Sequence, residues 1–255
     1  MKKLLVIVGI IVLLPIFGFG IYILEDVYYN MMGSKVEKAA LKYLDQKYGD
    51  SFEIDEVSYS KALGDDEGAF EIEAHSTDHS DITFSLRANE DYQITGDDYK
   101  ENKWGNETEQ EYIQLVKPIF PNADEIYASG SFPEEVADRY ELDDTYQTII
   151  QENPQQSHEY IKILMFVTSV NKEAELESIY QLREIMEGRN LRTYRLEVQY
   201  YPKKLKNELK NYDSLHQFDN DFSQEGLYDC KLHGAVGEDD SIAAPGDLAK
   251  FCREK

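Results

Sequence analysis

Residues 158–202 read HEYIKILMFVTSVNKEAELESIYQLREIMEGRNLRTYRLEVQYYP. The first part, 158–170, is a dense apolar run rich in branched and aromatic residues. That pattern predicts a central strand buried on both faces. Residues 171–190 switch to a helical period. Leu176, Ile179, Tyr180, Leu182, Arg183 and Met186 recur at three- and four-residue spacing, with charges elsewhere. Asn171 suits the N-cap and Gly188 the end of this helix. Residues 192–202 then alternate Tyr194, Leu196, Val198 and Tyr200 with Arg195, Glu197 and Gln199, as a strand does. Strand, amphipathic helix and strand form an α/β sandwich element, either a parallel crossover or part of an α+β layer. Downstream, "PKKLKNELKNYDSL" predicts a short polar helix with Pro202 at its start.

The region before this element has a different grammar. A helix is predicted from Asp26 to Tyr48, with Val36, Ala39, Ala40, Tyr43, Leu44 and Tyr48 on one stripe and Gly49 as its stop. Three strand patterns follow. In "SFEIDEVSY", Phe52 and Ile54 share one face and Val57 and Tyr59 continue it after a slip at Asp55-Glu56, which a β-bulge accommodates. Phe70, Ile72 and Ala74 alternate with Glu71, Glu73 and His75; Ile82, Phe84 and Leu86 alternate with Thr83, Ser85 and Arg87. Clean alternation predicts an antiparallel sheet with one wet face. Asp97 or Asp98 is placed to cap a short helix, and a second helix is predicted from Glu107 to Lys117, before Pro118.

The motifs "ALKYLDQKYGDSFEIDEVSY" and "DDYKENKW" resemble small membrane-anchored extracytoplasmic proteins of low-GC Gram-positive bacteria. Tyr43, Leu44, Lys47, Tyr48, Gly49, Phe52, Val57, Tyr99 and Trp104 carry the resemblance, which covers under half the chain. It implies a location and a fold type. It implies no activity and no catalytic residue.

The first residues bear on that location. Lys2 and Lys3 precede an uninterrupted apolar run, Leu4 to Leu24, which ends at Glu25-Asp26. About 21 helical residues cover about 30 Å, the hydrocarbon thickness of a bilayer. The flanking charges predict an N-terminus inside and the bulk of the chain outside. A secretory signal cleaved at Gly18-Phe19-Gly20 is the alternative. Apolar residues continue past that point, which favours retention. The expected fold class is therefore α+β: an N-terminal transmembrane helix, a helix packed on a short antiparallel sheet, then a second α/β sandwich unit. The expected division is 1–25, 26–122 and 123–255.

The chain has 255 residues and a formal charge of −24. Such a surface repels nucleic acid, so no nucleic-acid partner is expected. The expected partners are the lipid bilayer, through residues 4–24, and a cell-envelope protein. The 19 tyrosines and 11 phenylalanines argue for a folded exterior. Cys230 and Cys252 are a disulfide candidate in an exported chain; two free thiols are the alternative. A bridge between them constrains the unfolded tail by roughly 3 kcal/mol. They lack close Cys or His partners at metal-site spacing, His233 alone being near, so zinc is not expected.

No phosphate loop, dinucleotide fingerprint, nucleophile elbow or zincin motif occurs. No catalytic residue, cofactor or metal is expected. Three patterns come closest. Asp219, Asp221 and Ser223 begin like a calcium loop, which fails at Gln224 and Cys230. His75, Asp78, His79 and Asp81 cluster in what reads as a turn. Glu71 and Glu73 share the wet sheet face. Trp104, the only tryptophan, is a candidate partner contact; a core position beneath the second helix is the more ordinary reading. The Tyr194/Tyr200 row reads as core in preference to a carbohydrate platform. The expected function is that of a non-enzymatic, membrane-tethered extracytoplasmic module that binds or assists a cell-envelope protein or complex. An immunity-type protein against a basic toxin, or a hydrolase with a cryptic carboxylate or metal site, is the alternative.

Overall fold

The computed structural model describes residues 27–62, 64–65, 67–78, 82–212, 214–235 and 242–255. The fold is α+β with two sheets. The expected N-terminal transmembrane helix is corrected: among the described residues, no helix is long and apolar enough to cross a membrane. The apolar segment 4–24 lies outside the described residues.

The chain divides into two compact units, one ending at Lys103 and the other running from Trp104 to Lys255. The boundary expected after residue 122 therefore moves forward. The reason is in helix α2 (Tyr99–Val116), whose Trp104, Tyr112 and Val116 enter clusters of the second unit. The sequence suggests two short helices here, but one helix runs through Gly105.

In the first unit, helix α1 (Gly33–Tyr48) buries Val36, Ala40 and Leu44. Its C-cap is Gly49 at φ 75°, a left-handed backbone that glycine adopts without a Cβ penalty. Strands β1 (Phe52–Ser60), β2 (Ala69–Ser76), β3 (Thr83–Asn89) and β4 (Ile94–Asp97) form an antiparallel meander in sequence order. The register shifts between Ile54 and Glu56, where the apolar phase of β1 slips. This bulge lets Tyr59 reach the same side as Phe70, Ile72, Ala74, Phe84 and Leu86, all buried. Aromatic edges close that side: Phe52 lies 5.5 Å from Phe84 and 4.9 Å from Tyr99, ring centre to ring centre.

The second unit has a five-stranded sheet in the order β5 (Glu125–Ser131), β6 (His158–Val167), β7 (Thr193–Pro202), β8 (Tyr228–Ala235), β9 (Cys252–Glu254). Only β6 and β7 run parallel, joined through a long helix, Lys172–Gly188. Two short helices, α3 (Glu134–Ala137) and α4 (Tyr146–Glu152), precede β6, so the long helix is α5. One sheet face packs Ile161, Ile163, Leu196, Val198 and Leu232 against Ile179, Leu182 and Met186 of α5. The other face packs Leu164, Phe166 and Tyr201 against Leu205 and against Phe218 of α6 (Leu215–Phe222). The polar helix expected after Pro202 is instead two single 3-10 turns, Lys203–Leu205 and Leu209–Asn211.

Candidate functional site

Strand alternation in the first sheet sends one set of side chains to the core and the other to solvent. The exposed set includes Glu56 and Ser58 of β1, Glu71 and Glu73 of β2, Ser85 and Arg87 of β3, and Thr95 of β4. These residues line an open basin of about 730 Å³. Register decides which charges meet. Glu71 stands opposite Arg87 and pairs with it, Nη2 to Oε1 at 3.2 Å. Both side chains are well exposed, so the pair contributes little stability. Glu56 stands opposite Glu73, and among the described residues neither has an ion-pair or hydrogen-bond partner. Like charges directly opposite on neighbouring strands are destabilising, on the order of 0.2–1 kcal/mol.

At the basin's edge Asp97 is held by three donors. Tyr43 donates its hydroxyl at 2.7 Å, Lys47 its ammonium at 2.7 Å and Tyr48 its hydroxyl at 2.5 Å. The Asp97 side chain is only 1% exposed. Burial pushes its carboxyl up, but the bonds from Lys47, Tyr48 and Tyr43 outweigh that and hold it below its ordinary value. Neighbouring Asp98 accepts the Ser85 backbone N–H at 2.6 Å. Both acids therefore fix the basin's rim. The Asp97 cluster has no local signature, because its donors lie on α1 about fifty residues earlier.

This arrangement has a pH signature. A carboxyl lowered in the folded state supplies stability that is complete above its unfolded value, and that is lost as pH falls through the folded value. Asp97→Asn is expected to cost about 1–3 kcal/mol near neutral pH. The difference from the parent protein should close as pH falls below the ordinary 3.8. Urea denaturation of both proteins across the acid range measures it. A gap that persists unchanged in acid would assign the loss to something other than ionised Asp97.

The remaining sequence candidates fall elsewhere. His75 Nδ1 lies 2.9 Å from both carboxylate oxygens of Asp55, and Nε2 lies 3.8 Å from Glu53. Asp78 is exposed, and His79 and Asp81 lie outside the described residues. Among the described residues, no group of three or more His, Cys, Asp or Glu is placed to hold a metal ion. The calcium-like acids are not in a loop. Asp219 and Asp221 sit on α6, where Asp219 accepts from Lys162 at 3.0 Å and from the Tyr201 hydroxyl at 2.5 Å.

Trp104 is a core residue. It is 2% exposed, packs with Val136, Tyr146 and Ile149, and donates Nε1–H to the Asp144 carbonyl at 2.8 Å. Tyr194 and Tyr200 are core residues. Cys230 and Cys252 are joined by a disulfide.

Sequence reasoning also missed a buried polar cluster in the second unit. Glu159 of β6 accepts the hydroxyls of Tyr112 and of Tyr146, the latter at 3.1 Å, and Arg189 Nη1 at 3.1 Å. Arg189 also reaches Glu111. Gly130 makes the approach possible: a Cβ there would fall 1.8 Å from the Tyr146 hydroxyl. A signal existed in the sequence, since Glu159 shares the phase of Ile161 and Ile163.

No family model and no curated protein matches the sequence. Among solved structures, a DUF5037 family protein from Ruminococcus gnavus is similar. The TM-score is 0.55 at 16% identity, over 85% of this chain and 98% of that one. The likeness shows the fold alone.

Proposed function

We propose that this chain is a non-enzymatic extracytoplasmic binding module, and that its first sheet receives a basic segment of a partner protein. The carrying observation is the Glu56–Glu73 pair: two in-register carboxylates on an open sheet face, with no counter-charge of their own among the described residues. A cationic partner would relieve their repulsion and fill the basin. The surrounding charge supports the reading, with 18 acidic and 8 basic side chains between residues 27 and 103. Such a field steers basic partners and repels acidic ones. The disulfide supports an oxidising compartment. Within that compartment the partner is a cell-envelope protein or a secreted basic protein, and an immunity-type role would use the same face.

The test uses the full chain with hexalysine and hexaglutamate peptides, followed by calorimetry and NMR. Hexalysine is expected to bind with strong salt dependence and to shift the amides of β1 and β2; hexaglutamate is expected not to bind. Glu56→Gln/Glu73→Gln should weaken hexalysine binding by roughly ten-fold, about 1.4 kcal/mol. The same variant should be slightly more stable, by about 0.2–1 kcal/mol, because the repulsion is gone. Unchanged hexalysine affinity in this variant would remove the face from the function.

A further inference from the structure

The second sheet is covered unevenly. Toward the C-terminal ends of β6 and β7, Leu164, Phe166 and Tyr201 lie beneath Leu205 and Phe218. The other ends of the same strands open into a recess of about 410 Å³. Two cross-strand rows form it. Ser129, Tyr160, Arg195 and His233 align across four strands, and Ser131, His158, Thr193 and Ala235 align beside them.

The chemistry of this recess is opposite to that of the acidic face. Arg195 lies over the Tyr160 ring, 5.3 Å from its centre, and Nη2 donates to Glu197. Glu197 is buried and is also reached by Lys231 at 3.5 Å. One sequestered carboxylate thus serves two cations, while Arg195 keeps 48% and Lys231 36% of its side chain exposed. Among the described residues, no acceptor engages Nε or Nη1 of Arg195. The other acid at the recess, Glu159, commits its carboxylate to Tyr112, Tyr146 and Arg189. His158 Nδ1 is 2.5 Å from Thr193 Oγ1, and Tyr127 meets Tyr160 edge-on with centres 5.9 Å apart. Arg195 is thus the one cationic side chain among the described residues lining the recess, in a chain of formal charge −24.

We propose that this recess binds a small hydroxylated carboxylate, with Arg195 as the carboxylate anchor. A guanidinium presents parallel donors that match a carboxylate, and here its plane is already set by the Tyr160 ring and by Glu197. Such pre-organisation lowers the ordering cost of binding. Ser129, Thr193 and His233 supply hydrogen-bonding groups for ligand hydroxyls. The volume lies in the range of small-molecule sites, and a bare inorganic anion would leave most of it unfilled. This inference is independent of the acidic face, which favours the opposite charge.

The test is NMR titration of the full chain with glucuronate and lactate, beside glucose and acetate. Glucuronate or lactate at millimolar concentration is expected to shift Tyr160, Arg195 and both recess histidines. Glucose, without charge, and acetate, without hydroxyls, should bind roughly ten-fold more weakly or less. Arg195→Gln should lose roughly ten-fold in affinity, while Lys204→Gln, an exposed cation outside the recess, should lose none. No shift with either hydroxylated acid overturns the proposal. So does an equal response to glucose, or binding that survives Arg195→Gln.

Discussion

Replacing Arg189 with methionine is expected to destabilise the second unit by about 3–5 kcal/mol, the cost of breaking a buried ion pair from one side. Glu159 is the reason. Its side chain has no solvent exposure, and among the described residues Arg189 is the only cation bonded to it. Arg189 also lies 4.8 Å from the centre of the Tyr112 ring and reaches Glu111, so it ties α2 to β6. Burial pushes the Glu159 carboxyl above its ordinary 4.5, against the opposing pull of Arg189 and the two phenols. Without Arg189 that pull weakens and the carboxyl rises further. A carboxyl raised in the folded state loses stability as pH increases from its unfolded value through its folded value. The methionine variant should therefore be nearer to the parent protein at mildly acid pH than at alkaline pH. Chemical denaturation at about pH 5 and about pH 8 reads both effects. Adding Glu159→Gln should recover part of the loss, because the stranded charge is then gone. A deficit under about 1 kcal/mol at both pH values would mean that the cluster carries no such charge.

The elements that could be read from the sequence are those whose signal is local. Helix α5 and strands β6 and β7 follow directly from a change of period within 45 residues. The β1 bulge shows as a phase slip, and the end of α1 shows as Gly49. Elements that depend on distant partners were not legible. Strand β8, which no predicted strand anticipates, carries the charged Asp229 and Lys231. Asp229 is nevertheless buried, because Arg253 and Lys255 reach it from the chain's end. The same holds for the sites. Alternation alone placed Glu71 and Glu73 on a wet face. That Glu73 faces Glu56, and that Glu71 faces Arg87, required the register set by the bulge and the hairpins. Asp97 becomes legible only once its tyrosines are folded against it, whereas Glu159 shows in the sequence as a charge in the buried phase of Ile161 and Ile163.

Opening the Cys230–Cys252 bond is expected to release the C-terminal strand and to cost more than chain entropy alone. Closing a loop between cysteines 22 positions apart gives about 3 kcal/mol in the loop-entropy model. Strand β9 has only three residues, and Cys252 pairs with Cys230 in its register. So short an edge strand has little hold of its own. Beside the bridge, Arg253 binds Asp229 at 2.9 and 3.2 Å, and Lys255 lies 3.4 Å away. Asp229 is a 2% exposed carboxylate, so departure of β9 would strand a buried charge. Leu248, fully buried in the 3-10 segment before β9, opposes release. Denaturation with and without dithiothreitol, and amide exchange along β8, should show a loss above 3 kcal/mol and new exchange at the β8 edge. The two contributions separate in a double variant. If Cys252→Ser costs less in an Asp229→Asn background than in the parent, the stranded carboxylate supplies the excess. If the cost is the same in both, the disulfide acts on the unfolded chain alone and β9 stays in place without it.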